Sequence, residues 1–167
     1  MWVVSSPPLP AWGDQGAVRN WFHTKAGARF LNGQTRWFKI RAPRGYALLT
    51  TRGRRSGRQR TACVRAVVSG RRAIIVATGG RTCDWLLNIE AEPDVSVRLG
   101  AATLAGRGRL ATDEETGDLT EAFCREVYLF DRVASLVNQR GVPSARRVRA
   151  LHERWCSEGT IAVVELT

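Results

Sequence analysis

The segment Gly53-Arg54-Arg55-Ser56-Gly57-Arg58-Gln59-Arg60 places two glycines, four guanidinium groups and a hydroxyl within eight residues. A guanidinium is a planar fork of donors that matches phosphate and carboxylate oxygens. Glycine admits left-handed dihedrals, so successive amides can converge on one anion. Arg54, Arg55 and Arg60 can supply forks around Ser56, whose hydroxyl is a further donor. Each charge-assisted hydrogen bond contributes about 1.5 to 3 kcal/mol net, and several together hold a ligand at micromolar level only if the loop is already ordered. Anion capture is the chemistry this spacing suits. A solvated hairpin turn would use the same glycines, so the loop alone does not decide between them.

Two weaker patterns follow. Thr78-Gly79-Gly80 ends an apolar run, where glycines let a flat ligand or a phosphate approach the backbone; a simple strand terminator has the same look. Asp84-Trp85-Leu86-Leu87-Asn88 places Trp85 and Asn88 on one helical face, which a core tryptophan and a turn-forming asparagine would also do. Other chemistries find little to use. Ser56 has no histidine near it in sequence, which argues against a serine hydrolase. Cys63, Cys83, Cys124 and Cys156 include no Cys-x-x-Cys pair, and with only His23 and His152 beside them no zinc site is expected. They read as ordinary thiols.

These residues need elements to hold them. Residues 1–15, with Pro7, Pro8 and Pro10, read as a disordered lead-in, and residues 16–167 as a single domain. Residues 16 to about 40 carry aromatic and apolar side chains at loosely helical spacing among basic ones; such a helix packs on its own domain or lies on an anionic membrane. Tyr46–Thr51, Thr61–Val68 and Ala73–Thr78 are β-prone, with the arginine-rich loop between the first two and a Ser69-Gly70 turn before the third. A short helix over Asp84–Glu92 stops at Pro93, and a second hairpin turns at Gly100. Thr112 and Glu115 form a capping box that opens a long helix to about Asn138, with an interruption expected near Gly117. A basic helix, Ser144–Cys156, and a strand, Ile161–Leu166, complete the chain. Adjacent hairpins favour a mainly β, α+β fold: an antiparallel barrel with N-terminal and C-terminal helices covering it.

Charge sharpens the functional reading. Residues 15–83 contain fourteen arginines, two lysines and no carboxylate side chain, a local charge of +16 within a net +11. Such a field gathers anions. No nucleic-acid motif accompanies it, so a nucleic-acid partner is not expected. No run reaches the ~18 apolar residues needed to span a bilayer, and no signal peptide is visible, so a cytoplasmic protein is expected.

Taken in order, Leu48-Leu49-Thr50-Thr51-Arg52-Gly53-Arg54-Arg55-Ser56-Gly57, Arg60-Thr61, Gly79-Gly80, Trp85-x-x-Asn88-Ile89 and Pro93 resemble the deazaflavin-dependent nitroreductase and quinone reductase family of the split β-barrel superfamily. The resemblance covers roughly residues 45–110. It implies coenzyme F420 as hydride carrier, with its phosphate and oligoglutamate tail as the polyanion. Arg54, Arg55, Ser56 and Arg60 match the phosphate and tail contacts of such proteins; Thr61, Thr78, Gly79 and Gly80 match the ring side. Cys63 stands where the family usually has proline, and Leu86 where it usually has an aromatic residue. Of the tyrosines that its nitroreductases place near the substrate, only Tyr128 has a counterpart here, as a proton donor.

The implied function is hydride transfer from reduced deazaflavin to a quinone, a nitro compound or another apolar electrophile. Flavin mononucleotide (FMN) as cofactor and a non-catalytic barrel binding deazaflavin or lipid are the alternatives. The expected partners are a small-molecule electron acceptor, a second copy of the chain in a homodimer, and a membrane surface touched by the N-terminal segment.

Overall fold

The computed structural model describes residues 42–138, 142 and 144–167, and of 136–138 the backbone only. The lead-in and the helix expected over 16–40 lie outside the described residues.

Six strands, β1 (Tyr46–Arg52), β2 (Gln59–Ser69), β3 (Arg72–Ala77), β4 (Asp94–Leu99), β5 (Ala102–Leu110) and β6 (Thr160–Leu166), close into a barrel in the order β1-β2-β3-β6-β5-β4. Every neighbouring pair is antiparallel. The helices are α1 (Asp84–Ala91), α2 (Asp113–Arg125), α3 (Leu129–Asn138) and α4 (Ala145–Glu158).

The apolar run of β3 shows how the barrel is packed. Ala73 and Ile75 point inward to Leu49, Val64, Val97 and Val164, while Ile74 points outward with Val67 and Val163 beneath Leu119, Phe123 and Cys156 of α2 and α4. Alternating side chains are thus buried on both faces, which removes the polar half of the usual strand pattern. α2 and α4 therefore cover the barrel wall. Its end is closed by α1, whose Ile89 joins the interior cluster while Leu86 packs on Ala77 and Ala162. Gly108 of β5 makes room for this, since a Cβ there would stand 2.9 Å from Ile89 Cγ2. Both α1 side chains are fully buried, and truncating either would cost about 2 to 5 kcal/mol. That anchoring fixes α1 against the barrel.

The long helix expected from Thr112 to Asn138 is two helices. The break falls at Glu126–Tyr128 and not near Gly117, which lies inside α2 with open space around it. The cause is tertiary. Arg65 of β2 donates to the carbonyls of Phe123 (2.9 Å) and Glu126 (2.7 Å), taking up acceptors that helix continuation would have used. Its Nε donates to Asp131 Oδ1 at 3.0 Å, and Asp131 Oδ2 accepts from the Tyr128 N–H at 2.9 Å. Burial works against an ionised Asp131, but the adjacent His152 and Arg65 outweigh it and hold the carboxyl below its ordinary range. The capping box at Thr112 forms as expected, with Glu115 accepting from the Thr112 N–H at 2.8 Å.

Candidate active site

The arginine loop is ordered by its own backbone. Gly53 N–H donates to Arg58 O at 2.8 Å, and the N–H groups of Ser56 and Gly57 donate to Gly53 O at 3.1 and 2.7 Å. Arg58 N–H reaches Ser56 Oγ at 3.4 Å, and Arg52 Nε donates to Gly57 O at 3.2 Å. The two glycines serve different ends. Gly57 is left-handed at φ +63°, whereas Gly53 is needed for space: a Cβ there would stand 2.9 Å from Ser56 Oγ and 3.2 Å from Arg58 O.

This geometry corrects one sequence-based expectation. The amides of Gly53, Arg54, Ser56, Gly57 and Arg58 already have acceptors in the protein, so they do not converge on an anion. What the turn offers outward is side chains. Arg55, Arg58 and Arg60 are exposed and have no acidic partner among the described residues. Arg58 was absent from the residues singled out by sequence, yet it belongs with the other two.

Arg54 differs. Its N–H donates to Asn88 Oδ1 at 3.1 Å, and its Nη1 reaches the same oxygen at 3.2 Å and Asp84 Oδ1 at 3.1 Å. Asn88 in turn donates through Nδ2 to Thr51 Oγ1 at 3.1 Å. Only 3% exposed, Asn88 is a buried clamp that fastens the start of the loop to α1. Its placement on one face with Trp85 was visible in the sequence; its link to Arg54, thirty-four residues away in the chain, was not.

The second glycine motif lies at the same end of the barrel. β2 runs away from the arginine loop and β3 runs back, so Thr78-Gly79-Gly80 emerges beside the start of β2. Only Ala66–Ser69 of β2 pair with β3; Gln59–Arg65 pair with β1 alone, and Ala77 pairs with Thr160 of β6. The wall is split between these strands, and both motifs border the split. A 3-10 turn, Gly80–Thr82, then leads into α1, tied by Thr82 Oγ1 to Gly79 O at 2.7 Å. Cys83 follows, its Sγ only 3.0 Å from where a Gly79 Cβ would stand; burial pushes its thiol up, so it sits there neutral. Burial likewise pushes the Cys63 thiol up to about 11. Thr61 Oγ1 lies 3.1 Å from Thr50 Oγ1 across the β1–β2 pair, an exposed pair of hydroxyls.

A cleft of about 460 Å³ opens on the other flank of the loop, between Thr50, Thr51, Arg52, Gly57 and Gln59 on one side and Glu92, Asp94, Val95 and Ser96 on the other. It takes in neither Arg55 nor Arg60, and it does not extend to Gly79-Gly80.

Tyr128 is placed apart from these groups. Its ring backs onto Gly45, just before β1, whereas the arginine loop follows the last residue of β1. At about 3.3 Å per residue the seven-residue strand separates them by roughly 20 Å. The Tyr128 hydroxyl is bonded to the Glu126 carboxylate.

The residues fit the coenzyme that the resemblance implies: a preformed turn and the strand after it carry three unpaired guanidinium groups that suit an anionic tail, and Gly80 beside the wall split leaves its backbone open. A domain-swapped dimer of 21% identity overlays with a TM-score of 0.51, covering 88% of this chain and 98% of that one. An F420-H2 dependent reductase (FDR-A) is 23% identical over 73% of this chain and 95% of its own, with a TM-score of 0.49. The heme storage protein of Vibrio cholerae is 12% identical over 82% and 90%, with a TM-score of 0.48. The sequence model of the F420H(2)-dependent quinone reductase family matches residues 24–143, and so this split-barrel chain belongs to that family of F420-dependent oxidoreductases.

Proposed function

We propose that the protein reduces a quinone, or another apolar electrophile such as a nitro compound, and that it holds coenzyme F420 by the tail in the arginine loop. The observation that carries this reading is the preformed turn with Arg55, Arg58 and Arg60 unpaired beside a glycine pair at the barrel split. Reduced coenzyme supplies the hydride. Arg55, Arg58 and Arg60 bind the phosphate and carboxylates; Ser56 Oγ, which accepts from Arg58 N–H, donates its own proton to the same anion. Arg54 is both a ligand and a strut, since Asn88 and Asp84 fix its direction. Thr61, Thr78, Gly79 and Gly80 line the ring side, where open backbone at Gly80 admits a planar group. Positioning is the main demand of hydride transfer, which needs donor and acceptor atoms about 3 to 3.5 Å apart in a site shielded from water. The proton comes from solvent, or from Tyr128 if the coenzyme or acceptor reaches that end of the barrel.

A homodimer is part of the proposal, supported at fold level by the domain-swapped relative. So is contact between residues 16–40 and a membrane surface in the cytoplasm. Among the described residues no helix is long and apolar enough to cross a membrane. The test is fluorescence titration with F420, FMN and flavin adenine dinucleotide, followed by turnover of reduced F420 with a quinone panel. Preference for FMN would reject the coenzyme assignment. Tight F420 binding without turnover of any acceptor would identify a non-catalytic binding barrel.

A further inference from the structure

Among the described side chains of α3 the two buried ones are polar, Asp131 at 0% and Ser135 at 2% exposed, while Leu129 is 81% and Val133 46% exposed and Phe130 packs edge-on to Tyr46. Val142, beyond its C-terminal end, is 82% exposed. An exposed leucine alone carries no message. A carboxylate turned inward with a leucine and a valine turned outward is the reverse of what an amphipathic helix usually presents at such positions. The inward side is satisfied by Arg65, so burial of Asp131 leaves the outward side free to serve another surface.

We propose that the Leu129–Val133 face of α3, with Val142, docks on an anionic phospholipid bilayer. Residues 129–156 hold six arginines against two acids. One of those acids, Asp131, is paired inside with Arg65, and the other, Glu153, with Arg149. Arg132 and Arg146 are exposed and without an acidic partner among the described residues. Exposed aliphatic side chains and unpaired guanidinium groups on the packed helices α3 and α4, with Val142 between them in the chain, match an interface of acyl chains beneath anionic headgroups. A second copy fits less well, because a two-fold pairing of this face would oppose its own arginines. The docking surface stands apart from the reductase reading, because lipid binding is measured with neither coenzyme nor acceptor present.

The test is sedimentation of the full chain with vesicles of phosphatidylcholine alone, and of phosphatidylcholine with an equal part of phosphatidylglycerol. The wild type is expected to bind the anionic vesicles and to bind the neutral ones weakly. Leu129→Glu with Val142→Glu is expected to lower the partition at least about tenfold, with an unchanged melting temperature. Val142→Glu alone, at the most exposed of the three positions, lowers it in the same direction if the pair perturbs folding. Arg132→Ala with Arg146→Ala is expected to weaken binding to anionic vesicles only. Absence of wild-type binding, or a double variant that sediments like the wild type, overturns the proposal. So does a solution dimer that Leu129→Glu dissociates, which would assign this face to a second copy.

Discussion

Asn88 is the residue on which the order of the arginine loop most depends, and its removal is a sharp test. Its side chain makes three hydrogen bonds, two with Arg54 and one with Thr51. At about 1 kcal/mol for a typical bond, and no more for the partly exposed guanidinium contact, the clamp contributes about 2 to 3 kcal/mol. Asn88→Ala removes it and leaves the buried Thr51 hydroxyl with a 3.5 Å approach to Arg60 O as its remaining contact. If capture of the coenzyme needs the turn preformed, that free energy reappears as weaker binding, roughly 30- to 150-fold in Kd for F420. The melting temperature should fall with it, by about 4 to 10 °C for a domain of this size. Two companions separate the causes. Asp84→Ala deletes only an exposed ion pair and should change Kd less than about fivefold. Asn88→Asp keeps an acceptor for Arg54 while losing the donor to Thr51, and should bind better than Asn88→Ala. An Asn88→Ala protein that melts lower yet binds F420 as tightly as the wild type would show that the turn is not where the coenzyme is held.

Two further outcomes follow from the same geometry. Hydrogen bonds from Arg109 and from the Thr112 N–H hold the Glu115 carboxyl down to about 2, so its stabilising contribution is complete above about pH 4.5 and is lost as pH falls toward 2. Glu115→Gln should therefore melt below the wild type at neutral pH and converge with it in acid; a gap that does not narrow in thermal melts across that window refutes the assignment. Tyr128→Phe should leave kcat for quinone reduction within about twofold if solvent supplies the proton, and a drop of a hundredfold would bring that tyrosine into the site.

Much of this molecule was legible from residue order because its strands obey local rules. β1, β2 and β3 lie within two residues of where their β-branched runs and glycine turns place them. The capping box at Thr112 forms because both its partners are local. What could not be read is set by contacts across the fold. The break after α2 is made by a strand arginine some sixty residues earlier, whereas Gly117 drew attention on propensity alone. The inward carboxylate of α3 has the same origin, since Asp131 is buried against Arg65 of β2. At the candidate site, sequence identified the turn and its guanidinium groups but not that the folded chain spends most of the turn's amides on its own carbonyls and side chains.

The charge argument also changes once the chain is folded. Residues 15–83 hold no acid, yet acids from later in the chain reach back to them: Asp84 to Arg54, Asp131 to Arg65, Glu165 to Arg72 and Glu90 to Arg81. Arg52 and Arg71 spend their guanidinium groups on the carbonyls of Gly57 and Leu166. Among the described arginines of that stretch this leaves Arg44, Arg55, Arg58 and Arg60, the last three in one turn or at the start of the strand that follows it. Of the ten described arginines in that stretch four are paired with acids in space, and of those left with neither acid nor carbonyl most cluster at the loop. The consequence is measurable against a matched control. Arg55→Ala, Arg58→Ala and Arg60→Ala together, and Arg44→Ala, Arg132→Ala and Arg146→Ala together, remove the same net charge. A local grip predicts that the first set weakens F420 binding by at least about a hundredfold, on the basis of about 1 kcal/mol or more for each exposed charged contact, and flattens its dependence on salt. The second set should shift Kd by no more than the few-fold expected of a distant, screened field. Equal losses in both sets would mean that the coenzyme answers to the charge of the whole surface and that the turn has no special hold on it.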